Sequence, residues 1–173
     1  SYSELFLTSR IIDSLIIGLG SSSLTLIIGV YAGYYISRVN FKFKRYLIIS
    51  ILSARMMPLV SIAIPIYFVY EKINLLDTYI GIIFVHTFIN LPLAVLLLKS
   101  FFDEVPKQID ENAYIDGASK IKILHKLVVP CAKSGIAVTF ILSLIFSWTE
   151  FICALMIGQM DIKTIPVQAS ILK

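Results

Sequence analysis

The sequence predicts an all-α protein, a polytopic bundle of transmembrane helices. Of its 173 residues, 58% are hydrophobic and only 15% are charged, whereas soluble domains carry about 45–50% apolar and about 25% charged residues. Four stretches are long enough to cross a bilayer, because a spanning helix needs about 20 apolar residues. These runs are continuous, which favours helices over a membrane barrel with its short alternating segments.

The four predicted spans differ in the polar residues they contain. They cover residues 14–37, 46–70, 78–98 and 134–158. The first and third have no formal charge, whereas the second contains Arg55 and the fourth contains Glu150. Residues that can bend a span or hydrogen-bond within the bundle are Pro58, Pro65, His86, Asn90 and Pro92.

Lys and Arg outside the spans predict the orientation. The loops after spans one and three carry ten of these residues, and the other segments outside the spans carry four. The two basic loops are therefore predicted to be cytoplasmic. Both ends of the chain then face outward. Because no positively charged leader begins at Ser1, we expect one more span at each end, six in all. Residues 1–173 are thus predicted to be one transmembrane domain, truncated at both ends.

Charge and motifs argue against several other classes of protein. The net charge of +4 comes from basic residues in short loops, as in cytoplasmic anchoring, and does not indicate a nucleic-acid partner. Cys131 and Cys153 have no metal-ligand or redox spacing. A membrane enzyme needs a catalytic constellation, yet the sequence has no His-Glu-x-x-His motif and no Ser/His/Asp set. We predict no catalytic residue, no metal site and no cofactor bound by this chain.

The loop between spans three and four, residues 99–133, has an orderly set of helix signals. Pro106 suits the first turn of a helix, and Gly117 can end that helix in a left-handed conformation. Ser119 can cap a second helix, and Pro130 predicts a break before span four. We expect two short helices at an angle in the cytoplasm. An amphipathic loop lying on the bilayer is the alternative.

At this loop the sequence resembles a known family. Residues 111–118 read Glu-Asn-Ala-Tyr-Ile-Asp-Gly-Ala, and Leu-Val-Val-Pro follows at 127–130. This is similar to the EAA loop of binding-protein-dependent ABC importer permeases, which is Glu-Ala-Ala, two residues, Asp-Gly, and after nine residues Ile-x-Leu-Pro. Asn112 departs from the second Ala of that motif. Residues 115–119 and the Trp-Thr-Glu-Phe segment at 148–151 resemble the carbohydrate-uptake branch, which includes the smaller maltose permease, with Thr149 in place of Asn.

The resemblance implies a fold, partners and a role for the loop. The fold would be that of type I ABC importer permeases, in a multi-pass protein of the inner or plasma membrane. Partners would be ATPase subunits that use ATP, a second permease subunit (identical or not), an extracytoplasmic substrate-binding protein and membrane lipid. The loop would be the coupling helix seated in an ATPase cleft. The implied ATPase-coupling residues are Glu111, Ala113, Asp116, Gly117, Ala118 and Pro130.

Polar residues within the spans are candidates for the translocation path. Charged groups in a membrane are costly and usually face a cavity or a partner. Arg55, Asn90, Trp148 and Glu150 could line the path of a sugar, and Arg55 could pair with Glu150. Alternatively, Arg55 snorkels to an interface or the two charges brace a subunit contact. Asn90 would then hydrogen-bond within the bundle, and Trp148 would serve packing.

The predicted function is that of a non-enzymatic permease subunit for a sugar, such as an oligosaccharide or a related polyol or glycerol phosphate. A permease of the same class for a peptide, amino acid or phosphate is one alternative. A polytopic membrane enzyme and a purely structural membrane subunit are two others.

Overall fold

The structure, a computed structural model, describes residues 2–150 and 152–158, with side chains from residue 11 onward except residue 152. This part of the chain is helical and contains no strand, which confirms the predicted all-α class. One π-helical turn, Leu124–Val128, lies between α6 and α7. The helices are α1 (Tyr2–Arg38), α2 (Lys44–Arg55), α3 (Leu59–Lys72), α4 (Tyr79–Glu104), α5 (Lys107–Ile115), α6 (Lys120–Ile123), α7 (Val129–Cys131), α8 (Lys133–Thr149) and α9 (Ile152–Ile157).

Within the part of the chain that the structure describes, two helices are long and apolar enough to cross a membrane by themselves, the Ile11–Arg38 part of α1 and the whole of α4. Two further candidates are bent pairs. Helices α2 and α3 meet at 87°, and the α6–α7 segment meets α8 at 83°. The predicted four spans are obtained when each bent pair is counted as one crossing.

Span two is not the single interrupted helix that the sequence predicts. Helix α2 ends at Arg55, and α3 begins after Pro58, whose ψ of 127° is extended. Proline disfavours a helical conformation in the residue before it and cannot donate a backbone hydrogen bond, so the chain turns here. Pro65 and Pro92, by contrast, lie inside continuous helices.

Span four also differs from the prediction, because it stops before Glu150. The backbone of Glu150 is extended, with φ −70° and ψ 121°. Both of its carboxylate oxygens accept a hydrogen bond from the amide of Cys153, at 3.1 Å, and Oε2 accepts one from the amide of Ala154, at 3.2 Å. The carboxylate thereby caps α9, because the first amides of a helix have no partner within it.

Helices α1 and α4 form the central pair of the bundle, with α8 packed against both. Small residues allow α1 to approach α4 closely. A Cβ atom at Gly33 would lie 3.0 Å from the backbone nitrogen of Lys99 and 3.2 Å from the carbonyl oxygen of Val95. The two backbones are therefore nearly in contact at the end of α1.

Two buried apolar clusters lie along this pair. The first joins α1, α3, α4 and α9 and consists of Ile17, Ala63, Ile82, Val85, Ile89, Cys153 and Ile157. The second includes residues from the segment that connects α4 to α8, which we call the connecting segment, residues 105–132. Its members are Val30, Leu98, Phe102, Val105, Ile123, Leu124, Val128 and Ala132. The connecting segment is thus packed onto the ends of α1 and α4.

Candidate coupling site and buried polar residues

The connecting segment forms the two short helices that the sequence predicts. Helix α4 continues to Glu104, so the segment begins later than the predicted residue 99. Pro106 is the N-cap of α5. The Ser119 hydroxyl caps α6 by accepting from the Lys122 amide at 3.4 Å. Capping residues that can be read from sequence therefore set the starts of both helices.

Gly117 makes the turn between the two helices. Its φ is +79°, a left-handed conformation in which a side chain costs about 1 kcal/mol or more. The Gly117 amide donates to the Tyr114 carbonyl and the Ala118 amide donates to the Ala113 carbonyl, each at 3.0 Å. This pair of hydrogen bonds is the Schellman motif that commonly ends helices. A Cβ atom at Gly117 would meet nothing within 4 Å. Within this chain, glycine is therefore required by the backbone conformation and not by a lack of space.

The predicted coupling residues lie on two faces of the segment. Glu111, Asp116 and Gly117 are exposed. Ala113 and Ala118 are half-buried and pack against the second apolar cluster. The two alanines therefore support the segment from within, and the exposed three are available to a partner.

Large apolar side chains surround the Gly117 turn. Tyr114 is 65% exposed, Ile115 83% and Ile121 66%. We call these three residues the apolar ridge. Apolar side chains this exposed are common singly, whereas a contiguous group rimmed by polar residues indicates a protein or membrane contact.

Pro130 lies where the segment turns into span four. It is an exposed residue in the short helix α7, just after the π-helical turn. The 83° bend follows at Ala132, whose φ of −96° and ψ of 15° depart from helical values. The break expected near Pro130 is confirmed.

Polar contacts that the sequence did not predict tie the segment to α1. The guanidinium of Arg38 lies 2.9 Å from the Asp110 carboxylate, and the Tyr34 hydroxyl donates to the same carboxylate at 2.5 Å. One turn earlier in α1, the Tyr31 hydroxyl lies 2.8 Å from His125 Nε2. Positions 31, 34 and 38 share one face of a helix. This spacing is the signal in the sequence that could have identified them.

A second polar group lies within the bundle. The His86 ring is buried, and its Nδ1 lies 2.7 Å from the Ser147 hydroxyl, which is 2.8 Å from the Ser21 hydroxyl. On the other side of the ring, His86 Nε2 lies 3.4 Å from Glu150 Oε2. We call these four residues the buried polar cluster. It joins α1, α4, α8 and the cap of α9.

Arg55 and Glu150 do not contact each other among the described residues. The ion pair between them that the sequence analysis considered is therefore wrong. Glu150 contacts His86 and α9, as described above. Arg55 Nη1 donates to the Ile89 carbonyl at 3.1 Å, and its guanidinium lies 5.0 Å from the Phe146 ring centre. Glu150 is thus bonded within the bundle, whereas Arg55 is half-buried and makes one hydrogen bond to the α4 backbone, so each has a polar partner, as is usual for ionisable groups within a membrane.

The other two candidates for the translocation path are in different surroundings. Asn90 is buried on α4, and Trp148 is half-buried near the end of α8. An apolar cleft of about 500 Å³ lies at the α2–α3 elbow, with Arg55 and Pro92 in its wall. Among the described residues, no group of three or more His, Cys, Asp or Glu side chains could hold a metal ion.

The arrangement of long, bent and connecting helices is that of a known transporter class. The structure matches a bacterial ABC transporter involved in import of the acidic polysaccharide alginate, with a TM-score of 0.77 and 24% identity. The match covers 96% of this chain and 57% of that one. It shows the fold of an ABC importer permease.

Family membership follows from the sequence comparison. Residues 25–172 match the family described as binding-protein-dependent transport system inner membrane component, and the chain belongs to it. The family is one of membrane components of transport systems, which confirms the expected non-enzymatic class and membrane location. Such components generally work with ATPase and binding-protein partners.

Three relatives belong to sugar transport systems. The permease protein of the sulfoquinovosyl glycerol system of Agrobacterium fabrum is 33% identical over 156 residues, covering 90% of this chain and 55% of that protein. That of the trehalose system of Mycobacterium tuberculosis is 34% identical, covering 86% and 54%. That of the trehalose/maltose system of Thermococcus litoralis is 33% identical, covering 90% and 56%. The chain spans about half the length of these relatives.

Proposed function

We propose that this chain is part of the permease subunit of an ATP-driven sugar importer, and that its connecting segment docks onto a cytoplasmic ATPase subunit. The ATPase hydrolyses ATP, and the permease carries no nucleotide chemistry of its own. A second permease subunit, a substrate-binding protein on the outer side and lipid complete the surroundings. The sugar class rests on the relatives, whose names specify a sulfoquinovosyl glycerol, trehalose and maltose.

The apolar ridge is the observation that carries the docking proposal. Tyr114, Ile115 and Ile121 lie beside the exposed Gly117 turn, with the carboxylates of Glu111 and Asp116 at its edge. A buried apolar core with a polar rim is the usual composition of a protein–protein interface. The ridge is held on two capped helices that pack on the second apolar cluster, so it is presented to a partner as a rigid surface.

Gly117 has a part in this interface beyond its own conformation. The open space over its Cα lets a partner approach the backbone directly. Asparagine tolerates the left-handed conformation better than other side chains do. We therefore expect Gly117→Asn to keep the turn but obstruct the partner, and Gly117→Asp to obstruct it and add charge beside Asp116.

Co-purification of the ATPase with the full-length permease tests the docking. Ile115→Ser removes the most exposed ridge residue and should reduce ATPase retention roughly 30-fold or more, as expected for truncation of an anchor worth about 2 kcal/mol or more. Gly117→Asn should reduce it similarly while membrane levels stay normal. Gln108→Ala, an exposed polar position on α5, is the matched control. Full retention by both ridge and turn variants would show that the segment is a passive connector.

Uptake by the assembled importer tests the substrate class. Vesicles with the permease, its ATPase and its binding protein should take up a disaccharide such as trehalose or maltose. Uptake of an amino acid, peptide or phosphate in place of every sugar would favour the other permeases of this class. Among the proposed path residues Arg55, Asn90, Trp148 and Glu150, Arg55 borders the open cleft at the elbow. Arg55→Ala should lower uptake while ATPase retention is kept.

A further inference from the structure

We propose that Asp110, held by Arg38 and Tyr34, forms a rigid joint that carries movement of α5 into the first span. We call these three residues the loop joint. The inference rests on the proposed docking of the connecting segment to an ATPase. It adds the route by which a displacement of that segment reaches α1, and it assigns Asp110 the role of a positioning residue.

Helix α5 packs against α6 and the π-helical turn, and its Ile109 and Ala113 side chains pack on the second apolar cluster. Between α5 and the end of α1 there is instead a cleft of about 550 Å³, with Tyr34, Arg38 and Asp110 among its lining residues. Polar side chains that cross this gap therefore connect α5 to the first span in addition to the apolar contacts.

The geometry of the loop joint fixes Asp110 from two directions. Arg38 and Tyr34 each contact a different carboxylate oxygen, Oδ2 at 2.9 Å and Oδ1 at 2.5 Å. Only 10% of the Arg38 side chain and 16% of the Asp110 side chain are exposed. The Tyr34 hydroxyl donates a directional hydrogen bond to a charged acceptor, and the Arg38–Asp110 ion pair is shielded from water, so both contacts are strong. They resist both sliding and rotation of α5, whereas apolar contacts have no directional preference.

Arg38 extends the joint to a third helix. Its Nη1 donates to the Phe102 carbonyl near the end of α4, at 2.9 Å. One planar guanidinium therefore holds α5 and α4 to the end of α1. Lysine would hold the two partners less rigidly, because its donors rotate about one nitrogen and lack the planar fork geometry. The ends of spans one and three are thus coupled to the same helix.

A purely local role for Asp110 would predict different behaviour. Asp110 lies in the first turn of α5, where a negative charge stabilises a helix through its dipole. That role does not involve Arg38. In the joint, removal of either partner has the same effect, and removal of both adds little. A double-mutant cycle of Asp110→Asn and Arg38→Gln separates the two roles.

The first measurement uses the full-length permease assembled with its ATPase, spin-labelled at Asn40 and Gln108. Both positions are exposed, one just past α1 and the other on α5, in a Cys131→Ser background. We expect one narrow distance distribution that is unchanged between the nucleotide-free and ATP-trapped states. Asp110→Asn should broaden it. A shift on ATP binding in the unsubstituted joint, or no effect of Asp110→Asn, would overturn the proposal.

The second measurement is the number of ATP molecules hydrolysed per sugar imported, with trehalose and maltose as probes. Asp110→Asn and Arg38→Gln should each raise this ratio roughly 2- to 30-fold, as for coupling changes of 0.5–2 kcal/mol, with the ATPase still bound. The double variant should match the singles, and Asp110→Glu should lie nearer the unsubstituted ratio. Glu104→Gln, an exposed carboxylate at the end of α4, should leave the ratio unchanged.

The possible failures can be told apart. If the unsubstituted permease does not hold the ATPase, the proposed function has failed and the joint has no movement to carry. If it assembles and imports sugar, but both joint variants keep the original ratio, only the joint is refuted. Additive effects in the double variant would refute it as well, because independent local roles predict additivity.

Discussion

The buried polar cluster and the loop joint are built from similar groups but differ in burial. Each has a carboxylate, a basic side chain and at least one hydroxyl group, and each joins α1 to other helices. In the cluster, His86 has no exposed surface and Ser147 is buried. In the joint, Arg38 and Asp110 retain some contact with water.

The difference in burial separates structural from mechanical roles. A polar group left without a partner in the interior loses its hydration and gains nothing in return. The same loss beside a cleft is softened because water can replace the missing partner. We therefore expect damage to the cluster to unfold the bundle, and damage to the joint to leave a folded permease that is poorly coupled.

The largest effect is expected from Glu150→Ala. It removes the cap of α9 and leaves the buried His86 without one of its neighbouring polar groups, which should cost about 2–4 kcal/mol. We expect a large loss of folded protein in detergent, measured by thermal unfolding followed by size exclusion. Glu150→Gln, which keeps an oxygen acceptor, should be milder. The adjacent Thr149→Val removes a hydroxyl that bonds only to carbonyls of its own helix and serves as the control.

An unchanged melting temperature for Glu150→Ala would contradict the structural role of the cluster. Such a result would indicate that the main role of Glu150 is to line the translocation path, since a path residue can be replaced without unfolding the helices around it.

A smaller loss is expected from Ser147→Val. The change removes the hydroxyl between His86 and Ser21 and leaves both without this partner in the interior, which should cost about 1–3 kcal/mol. Ser143→Val is the matched control, because Ser143 is also buried on α8, one turn away. Equal melting temperatures for the two variants would show that hydroxyl loss at the cluster has no special cost.

The sequence predicted local structure in the connecting segment well because each signal there acts within a few residues. Pro106 and Ser119 cap the helix that follows them, and Gly117 ends the helix before it. None of these depends on a distant contact. Family motifs reinforced the same positions, and the family match confirmed the class of protein.

The interior could not be predicted in the same way, since its partners are far apart in the chain. Glu150 was expected within a continuous span, but it ends α8 because its carboxylate is used to cap α9. Arg38 was counted among basic loop residues, and its ion pair with Asp110, 72 positions away by number, has no local signature. Pro58 indicated in the sequence that span two could bend between α2 and α3, but the 87° angle of the bend could not be predicted.

A modest effect is expected from Tyr34→Phe. This change removes the hydrogen bond to Asp110 but keeps the Arg38 ion pair and the ring packing, so it should cost about 1 kcal/mol. Thermal unfolding should show a small decrease, and the ATP-to-sugar ratio should rise less than in Asp110→Asn. Tyr35→Phe, at the adjacent exposed position, should change neither quantity. If Tyr34→Phe lost more stability than Ser147→Val, the loop joint would contribute more to stability than the buried polar cluster, contrary to the proposal.

The smallest effect is expected from Tyr31→Phe, at the outer contact between α1 and the π-helical turn. The Tyr31 hydroxyl and His125 Nε2 are both accessible to water, and the edge-to-face contact of the two rings, with centroids 5.6 Å apart, survives the change. The free energy of unfolding should therefore fall by no more than about 0.5 kcal/mol. The spin-label distance between α1 and α5 should stay narrow, because Asp110 still holds α5. If Tyr31→Phe broadened that distance more than Tyr34→Phe, the π-helical turn would be the main tie between α1 and the connecting segment, and Asp110 a secondary one.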